Sequence, residues 1–207
     1  IELERALILA EIDEDFDEDG VEINVDDVAR GALFADDPLG QRILGPRANI
    51  ERFSDRDVRR HFDAFYGARN LHLCVAGPCD HAGAVAAARG AFADVPPGVA
   101  ARTAGSPRIT QGPTLRHVDN PGAQTDLTVL FYGPAEAAPE YVALLALLRV
   151  LDGGMSTRLH YTLADQRGLA YSVRASVEPY VDVSLLAVTA STSNAKLPAL
   201  MGELLSV

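Results

Sequence analysis

A stretch rich in proline and glycine constrains the fold of this chain more than any other feature of the sequence. Residues 96–113 contain four Pro and three Gly but no long apolar run. Proline removes a backbone donor and glycine is conformationally free, so such a composition is typical of a linker between folded segments. The sequence therefore predicts two segments, residues 1–95 and 114–207, joined by a linker at 96–113.

Both segments mix helical and strand patterns. Helices are predicted at residues 2–14, 25–34, 54–66, 80–92, 139–151 and 156–166. Strands are predicted at residues 70–76, 115–118, 126–132, 170–177 and 181–189, the last two as a hairpin. This order favours an α+β fold, with mixed or antiparallel sheets covered by helices, over a doubly wound parallel sheet.

Local patterns add detail to three of these elements. Ser54 is predicted to cap its helix, because its hydroxyl can accept from a free N–H of the first turn. The helix at 139–151 is apolar on nearly every side, which predicts burial. The first helix carries a stripe of apolar residues on one face. This stripe consists of Leu3, Ala6, Leu7 and Ala10.

Composition and charge exclude several classes of protein. Of 207 residues, 48% are hydrophobic and 23% charged, as in ordinary globular proteins, and no apolar run approaches the roughly 20 residues of a membrane span. The net charge of −11 argues against a nucleic-acid partner, since phosphates need a basic surface. Lys196 is the only lysine, and this arginine bias with abundant Ala, Gly and Pro is typical of GC-rich bacterial genomes.

An acidic loop after the first helix resembles part of a calcium-binding EF-hand. Three aspartates occupy the first alternating ligand positions, and Gly20 stands at the sharp turn. These are Asp15, Asp17 and Asp19. Glu22 stands where the hand needs an apolar residue, however, and Asp26 replaces the long glutamate at the last position. A solvated acidic loop is therefore favoured over a calcium site.

Glu4 and Glu11 form a second pair of candidate ligands. Seven residues make nearly two helical turns, so both carboxylates project from one face, about 10.5 Å apart along the helix axis. They are too far apart to bind one ion together, but one could bind a metal while the other orients a neighbouring ligand. A solvated helix face remains the alternative. Neither HExxH nor HxxEH occurs, so a zinc site formed entirely within this chain would be unusual.

Four motifs, in order along nearly the whole chain, resemble the pitrilysin, insulinase and mitochondrial processing peptidase family of zinc metallopeptidases, the inverzincins. Residues 4–11 (ERALILAE) resemble its ERxxxxxE segment, and residues 37–45 resemble its PLG and ILG stretch. The strand predicted at 70–76 resembles a family strand. The most specific match joins LDGGMSTRL at 151–159 to RGLAYSV at 167–173, a pattern of the bacterial members.

The resemblance implies two metallopeptidase-like lobes and assigns roles to three residues. Residues 1–95 would be the later part of the N-terminal lobe, and 114–207 the early part of the non-catalytic C-terminal lobe. Glu11 would bind zinc with two histidines of an upstream HxxEH segment, and Glu4 would support the ligands from behind. Tyr171 would bind the substrate backbone. The family pairs this tyrosine with an arginine seven residues earlier, where this chain has Ala164.

The functional prediction is a fragment of a zinc-dependent metalloendopeptidase that acts on peptides or small proteins. The chain begins with Ile1 and ends within a helical pattern, so part of a longer protein is expected. Without the two histidines, the chain by itself is predicted to hold no zinc and to be inactive. Expected partners are the upstream segment, a partner peptidase subunit, or a second copy in a homodimer. The alternative is a non-catalytic partner or structural subunit of the same family.

Overall fold

The computed structural model describes residues 1–35, 37–101, 112–119 and 121–207. Its α-helices are α1 (Glu2–Glu14), α2 (Val25–Phe34), α3 (Arg47–Arg52), α4 (Asp55–Phe65), α5 (His81–Ala91), α6 (Glu140–Asp152) and α7 (Leu197–Leu204). A π-helix covers His160–Gln166, and 3₁₀ turns cover Pro38–Gly40, Ala68–Asn70 and Asn194–Lys196. The strands are β1 (Gln124–Gly133), β2 (Ser172–Pro179) and β3 (Ser184–Ser193). No helix within the described ranges combines the length and apolarity of a membrane span.

The described residues form two compact units. The first contains the described residues of Ile1–Leu9 and Pro46–Ala104, and the second those of Ala10–Gly45 and Gly105–Val207. The boundary falls within α1, after Leu9. Of the linker predicted at 96–113, residues 102–111 lie outside the described part of the chain. The assignment of 1–95 and 114–207 to two peptidase lobes stays a prediction.

The second unit is built on an antiparallel sheet of three strands in the order β1-β3-β2. Val188 in the central strand pairs with Val129 of β1 on one side and with Ala175 of β2 on the other. Side chains of β3 alternate between the two faces, as the two-residue period of a strand requires. The antiparallel sheet with its helices confirms the predicted α+β class, and β2 with β3 confirms the predicted hairpin.

Each face of this sheet carries its own apolar cluster. On one face, Val188 and Ala190 of β3 pack with side chains from the π-helix and α7, including Leu163 and Leu200. Val183 and Leu185 belong to the other cluster, with Phe34 at the end of α2. Since burying an apolar side chain stabilises the fold by roughly 1.5–3 kcal/mol, these clusters hold the helices to the sheet.

Local hydrogen bonds define the start of α4 and the path of the chain after it in the first unit. Ser54 caps this helix as predicted: its hydroxyl accepts from the N–H of Asp57, whose carboxylate accepts from the N–H of Ser54 in return. After α4, the chain runs beside residues 96–99, and Ala68 N–H donates to the Pro96 carbonyl at 2.9 Å. A Cβ on Gly67 would lie 2.6 Å from the Gly98 Cα, so glycine is required for this close approach.

Three sequence predictions about strands and burial are wrong. Residues 70–76 and 115–118 are not strands, and no partner strand lies beside them among the described residues. A strand exists only when its backbone pairs with another, and the local pattern at 70–76 does not supply that partner. Helix α6 has no fully buried residue, although its sequence is apolar around most of its surface. The helix predicted from Ser156 includes the π-helix His160–Gln166.

Candidate functional site

Helix α1 presents Glu4 and Glu11 on its exposed side. The less exposed positions of α1 are Arg5, Ile8, Leu9 and Ile12, which follow the i, i+3, i+4, i+7 spacing of one helix face. The apolar stripe that begins at Leu3 is exposed, with Leu3 at 73% and Leu7 at 56%. Successive residues are 100° apart around a helix, so Glu4 and Glu11 lie between the buried face and this exposed stripe.

Two arginine contacts hold α1 beside α3. Arg5 donates from Nη2 to the Phe53 carbonyl at 2.5 Å and from Nη1 to the Glu51 carbonyl at 3.3 Å, at the end of α3. From the first residue of α3, Arg47 donates to the Leu9 carbonyl of α1 at 3.4 Å. The early part of α1 thus contacts the end of α3, and the later part contacts its beginning. The two helices therefore run antiparallel here.

Glu11 fits the position of a single metal ligand. Its carboxylate is exposed and makes no hydrogen bond or ion pair with a described residue, so nothing described competes with a cation for it. Within the described ranges, no three His, Cys, Asp or Glu side chains gather closely enough to hold a metal ion. Zinc sites use three or four protein ligands. The remaining donors of a zinc site would therefore come from outside the described residues.

The acidic loop after α1 is organised by a side chain that the sequence analysis missed. The Arg42 guanidinium donates to Asp15 and Asp27 and lies 4.6 Å from the centre of the Phe16 ring. The amide of Asn24 also donates to Asp15, at 2.8 Å. An arginine, rather than solvent alone, thus neutralises part of this loop. A basic residue close in sequence to an acidic run is the signal that was available.

The pKa of Glu22 is raised by this arrangement. Burial is the largest cause, and the negative charges of Asp27 and Asp15 add to it, while the positive charge of Arg42 opposes it. Glu22 Oε1 lies 3.1 Å from Arg42 Nε but receives no hydrogen bond from it. The single hydrogen on Nε points to Asp27 instead, at 3.2 Å. Three carboxylates therefore share one guanidinium, and Glu22 gains least from it.

Tyr171 lies at the start of the β2–β3 hairpin. Its backbone N–H donates to the Ser191 carbonyl at 2.8 Å, while its side chain is 63% exposed. The hydroxyl makes no hydrogen bond with a described residue. No hydrogen bond joins Tyr171 to Glu11 within the described part of the chain. The Tyr171 hydroxyl and the Glu11 carboxylate are therefore two separate exposed groups of the second unit.

The position seven residues before Tyr171 lies in the π-helix and is Ala164. π-Helices are rare and often occur at functional sites. Arg167, the nearest alternative cation, forms an ion pair with Glu203 of α7 at 2.7 Å. That contact directs the Arg167 guanidinium to α7. The guanidinium that the family resemblance places beside this tyrosine is therefore not supplied from either position.

The match to a protein family defines the class of protein to which this chain belongs. A crystal structure described as the peptidase M16 inactive domain from Pseudomonas fluorescens superimposes with a TM-score of 0.84 and 21% identity, over 98% of this chain and 50% of that one. Residues 52–207 also match the family described as "Peptidase M16 inactive domain". The chain belongs to this family, as the resemblance predicted.

Relatives of this chain include proteins named as zinc proteases. An uncharacterized zinc protease of Rickettsia bellii is 33% identical over 174 residues, 84% of this chain and 42% of that protein. One from Mycobacterium tuberculosis is 30% identical over 195 residues, 92% of this chain and 44% of that protein. A probable mitochondrial-processing peptidase subunit beta of Schizosaccharomyces pombe is 26% identical, over 94% of this chain and 45% of its own length. The chain thus spans less than half the length of these relatives.

Proposed function

We propose that this chain is part of a zinc-dependent metalloendopeptidase in which Glu11 is a zinc ligand. The observation that carries the proposal is the position of Glu11 on α1. Its carboxylate is exposed, has no competing partner among the described residues, and projects in the same direction as that of Glu4. The names of the relatives support zinc in the complete protein. Glu4 orients a neighbouring ligand, since about 10.5 Å along the helix prevents both carboxylates from binding one ion.

The substrates we propose are peptides or small proteins. Bound zinc supplies Lewis acidity toward the scissile carbonyl. In this chain, the Glu11 carboxylate provides one oxygen ligand, and the exposed Tyr171 hydroxyl donates a hydrogen bond to the substrate backbone. Such a donor, held in place before the substrate arrives, fixes the position of the peptide and costs no reorganisation during the reaction.

The 207-residue chain by itself should bind no stoichiometric zinc and hydrolyse no peptide. One carboxylate is too few donors for a tetrahedral site, and Tyr171 without an activated nucleophile gives no turnover. The missing donors would come from an upstream segment or from a partner peptidase subunit. Elemental analysis after dialysis checks the metal content, and stoichiometric zinc in the isolated chain would contradict this expectation.

The test of the ligand assignment is Glu11→Gln in the complete protein. An amide binds zinc far less well than a carboxylate, so the variant should lose both the metal and the hydrolysis of a quenched-fluorescent peptide. Glu14→Gln is the matched control, because Glu14 is another exposed glutamate of the same helix. Full zinc and full rate in Glu11→Gln would reject the proposed function.

One observation favours a second candidate, a non-catalytic partner or structural subunit of the same family. Ala164 removes the arginine that the resemblance pairs with Tyr171, and Arg167 is engaged by Glu203. If the complete protein is a peptidase, Ala164→Arg should raise its rate, because a second donor would then reach the substrate. An upstream HxxEH segment favours the enzyme, and the absence of that segment from the complete protein favours the non-catalytic subunit.

A further inference from the structure

We propose that Arg5 and Arg47 are positioning residues for Glu11. This inference rests on the proposed role of Glu11 as a zinc ligand. The two arginines fix α1 against α3 in a single register and a single rotation. In that rotation the side chains of Glu4 and Glu11 are exposed to solvent. No motif in the family resemblance requires the contact of Arg47 with α1.

The contacts between α1 and α3 are reciprocal. Arg5 reaches from α1 to the end of α3, and Arg47 reaches from the beginning of α3 back to Leu9. Arg5 and Leu9 are four residues apart, as are Arg47 and Glu51, and four residues span about 6 Å of helix. Two contacts at matched spacing oppose sliding of α1 along α3, which a single contact would not do.

The carbonyls at the end of α3 favour contact with an arginine. The last carbonyls of a helix have no partner within that helix, and they form the negative end of its dipole. Arg5 donates from two nitrogens to the Glu51 and Phe53 carbonyls. Its side chain is 22% exposed, so most of its surface is covered. A lysine has no such fork and would replace at most one of them.

The Arg5 contacts are linked to the direction of the Glu4 and Glu11 carboxylates through the helix itself. Arg5 directly follows Glu4, so its side chain leaves the helix about 100° away from that of Glu4. Glu11 shares the direction of Glu4 on the same continuous helix. Any rotation of α1 that breaks the Arg5 contacts therefore turns the Glu11 carboxylate by the same angle. A metal ligand displaced in this way no longer meets its ion in the correct geometry.

The experiment measures zinc affinity of the complete protein by competition with a chelator. Arg5→Gln and Arg47→Gln should each weaken zinc binding by roughly 10- to 100-fold, the range found when residues that orient a ligand are removed. Arg5→Lys should fall between Arg5→Gln and the unchanged protein. Arg60→Gln is the control and should have no effect, because Arg60 is exposed and its ion pair is with Asp57 of its own helix.

A double variant separates positioning from general loss of structure. If Arg5 acts through Glu11, Arg5→Gln should have no further effect on the residual zinc affinity of Glu11→Gln. An equal loss in both backgrounds would overturn the proposal, and so would unchanged affinity in Arg5→Gln and Arg47→Gln. If Arg5→Gln does not fold, Arg5→Lys and Arg47→Gln decide by the same criteria. Unchanged zinc in Glu11→Gln alone would instead reject the proposed function.

Discussion

Two glutamates of the second unit have pKa values shifted in opposite directions. The pKa of Glu22 is raised above its ordinary value of 4.5 by burial and by Asp27 and Asp15. Burial also acts on Glu178, but hydrogen bonds from Arg30 and Tyr180, with the charge of Arg30, lower its pKa below 4.5. Glu22 therefore destabilises the fold when it ionises, whereas ionised Glu178 stabilises it.

Glu22→Gln should raise the thermal midpoint of this chain at pH 7. A group whose folded pKa is raised contributes stability below pH 4.5 and loses that contribution as the pH rises through the folded value. The variant has no carboxyl group that ionises at this position, so it does not lose this stability. Its thermal midpoint should therefore exceed that of the unchanged chain at pH 7, and the two midpoints should converge below pH 4.5. Thermal unfolding followed by circular dichroism at both pH values measures the difference.

Glu178→Gln provides the opposite case and serves as the control. Its folded pKa is lowered, so its stabilisation is present above pH 4.5 and lost as the pH falls through the folded value. The midpoint of Glu178→Gln should therefore be lower than that of the unchanged chain at pH 7. Equal shifts of the same sign in both variants would contradict the arrangement of charges around Arg42 and Arg30.

Tyr171→Phe tests the proposed substrate contact at a single atom. The hydroxyl makes no hydrogen bond within the described structure, so its removal should leave the thermal midpoint unchanged. In the complete protein, zinc content should also stay unchanged, while kcat should fall by roughly 100-fold, as for the loss of one hydrogen bond made in the transition state. A rate equal to that of the unchanged protein would remove Tyr171 from the proposed site.

Among the elements, the π-helix depends on one buried side chain. Leu163 is 0% exposed and packs in the cluster between the sheet and α7. Leu163→Ala should lower the free energy of unfolding by about 2–5 kcal/mol, because a cavity remains where the side chain was. Leu205→Ala removes the same atoms from a residue that is 72% exposed and should change it by less than about 0.5 kcal/mol. Urea unfolding of both variants compares them.

Elements specified by neighbouring residues could be predicted from the sequence. The Ser54 cap, helix α2 and the β2–β3 hairpin depend on contacts between residues close along the chain, and all three were placed correctly. Residues 70–76 have the same apolar pattern as a buried strand, but strand formation depends on a partner that is distant in sequence. Leu71, Leu73 and Val75 remain exposed beside no described strand.

In the candidate site, too, some features follow from the local sequence and others depend on distant contacts. Spacing alone places Glu4 and Glu11 on one face of α1, and the motif resemblance assigns Glu11 as a zinc ligand and Glu4 as a residue that supports the ligands. The sequence pattern places Leu3 and Leu7 on one face of α1 but does not indicate which face packs, and the less exposed face includes Arg5. A partly buried arginine that donates to backbone carbonyls leaves no signal in a hydrophobicity pattern. The role of Arg47 depends on the same kind of contact, whereas Arg42 is held by carboxylates.

At the scale of the whole molecule, exposed apolar side chains predict self-association of the isolated chain. Leu73 and Val75 are 54% and 58% exposed in an extended segment whose apolar residues alternate. Unpaired extended backbone with apolar side chains readily pairs with another chain. Light scattering at micromolar concentration should give a mass above that of the monomer, most simply a two-fold dimer.

A variant with both Leu73→Ser and Val75→Ser should lower that mass without lowering the thermal midpoint, because neither side chain is buried. Val142→Ser on α6 is a matched control, since Val142 is also exposed and lies in a regular helix instead of an unpaired segment. A monomer mass for the unchanged chain would contradict the prediction. An unchanged mass in the double variant would move the association to another surface.

The packing of α2 on the sheet has a consequence for synthesis on the ribosome. Arg30 pairs with Glu178, 148 residues later, and Phe34 packs against Val183 and Leu185. At about 5–20 residues per second, the ribosome needs roughly 7 to 30 s to add those residues after α2 is made. Throughout that interval the Phe34 ring lacks its partners on β3. Nascent chains stalled before residue 178 should therefore recruit more of the chaperones that bind exposed apolar segments than chains released after β3.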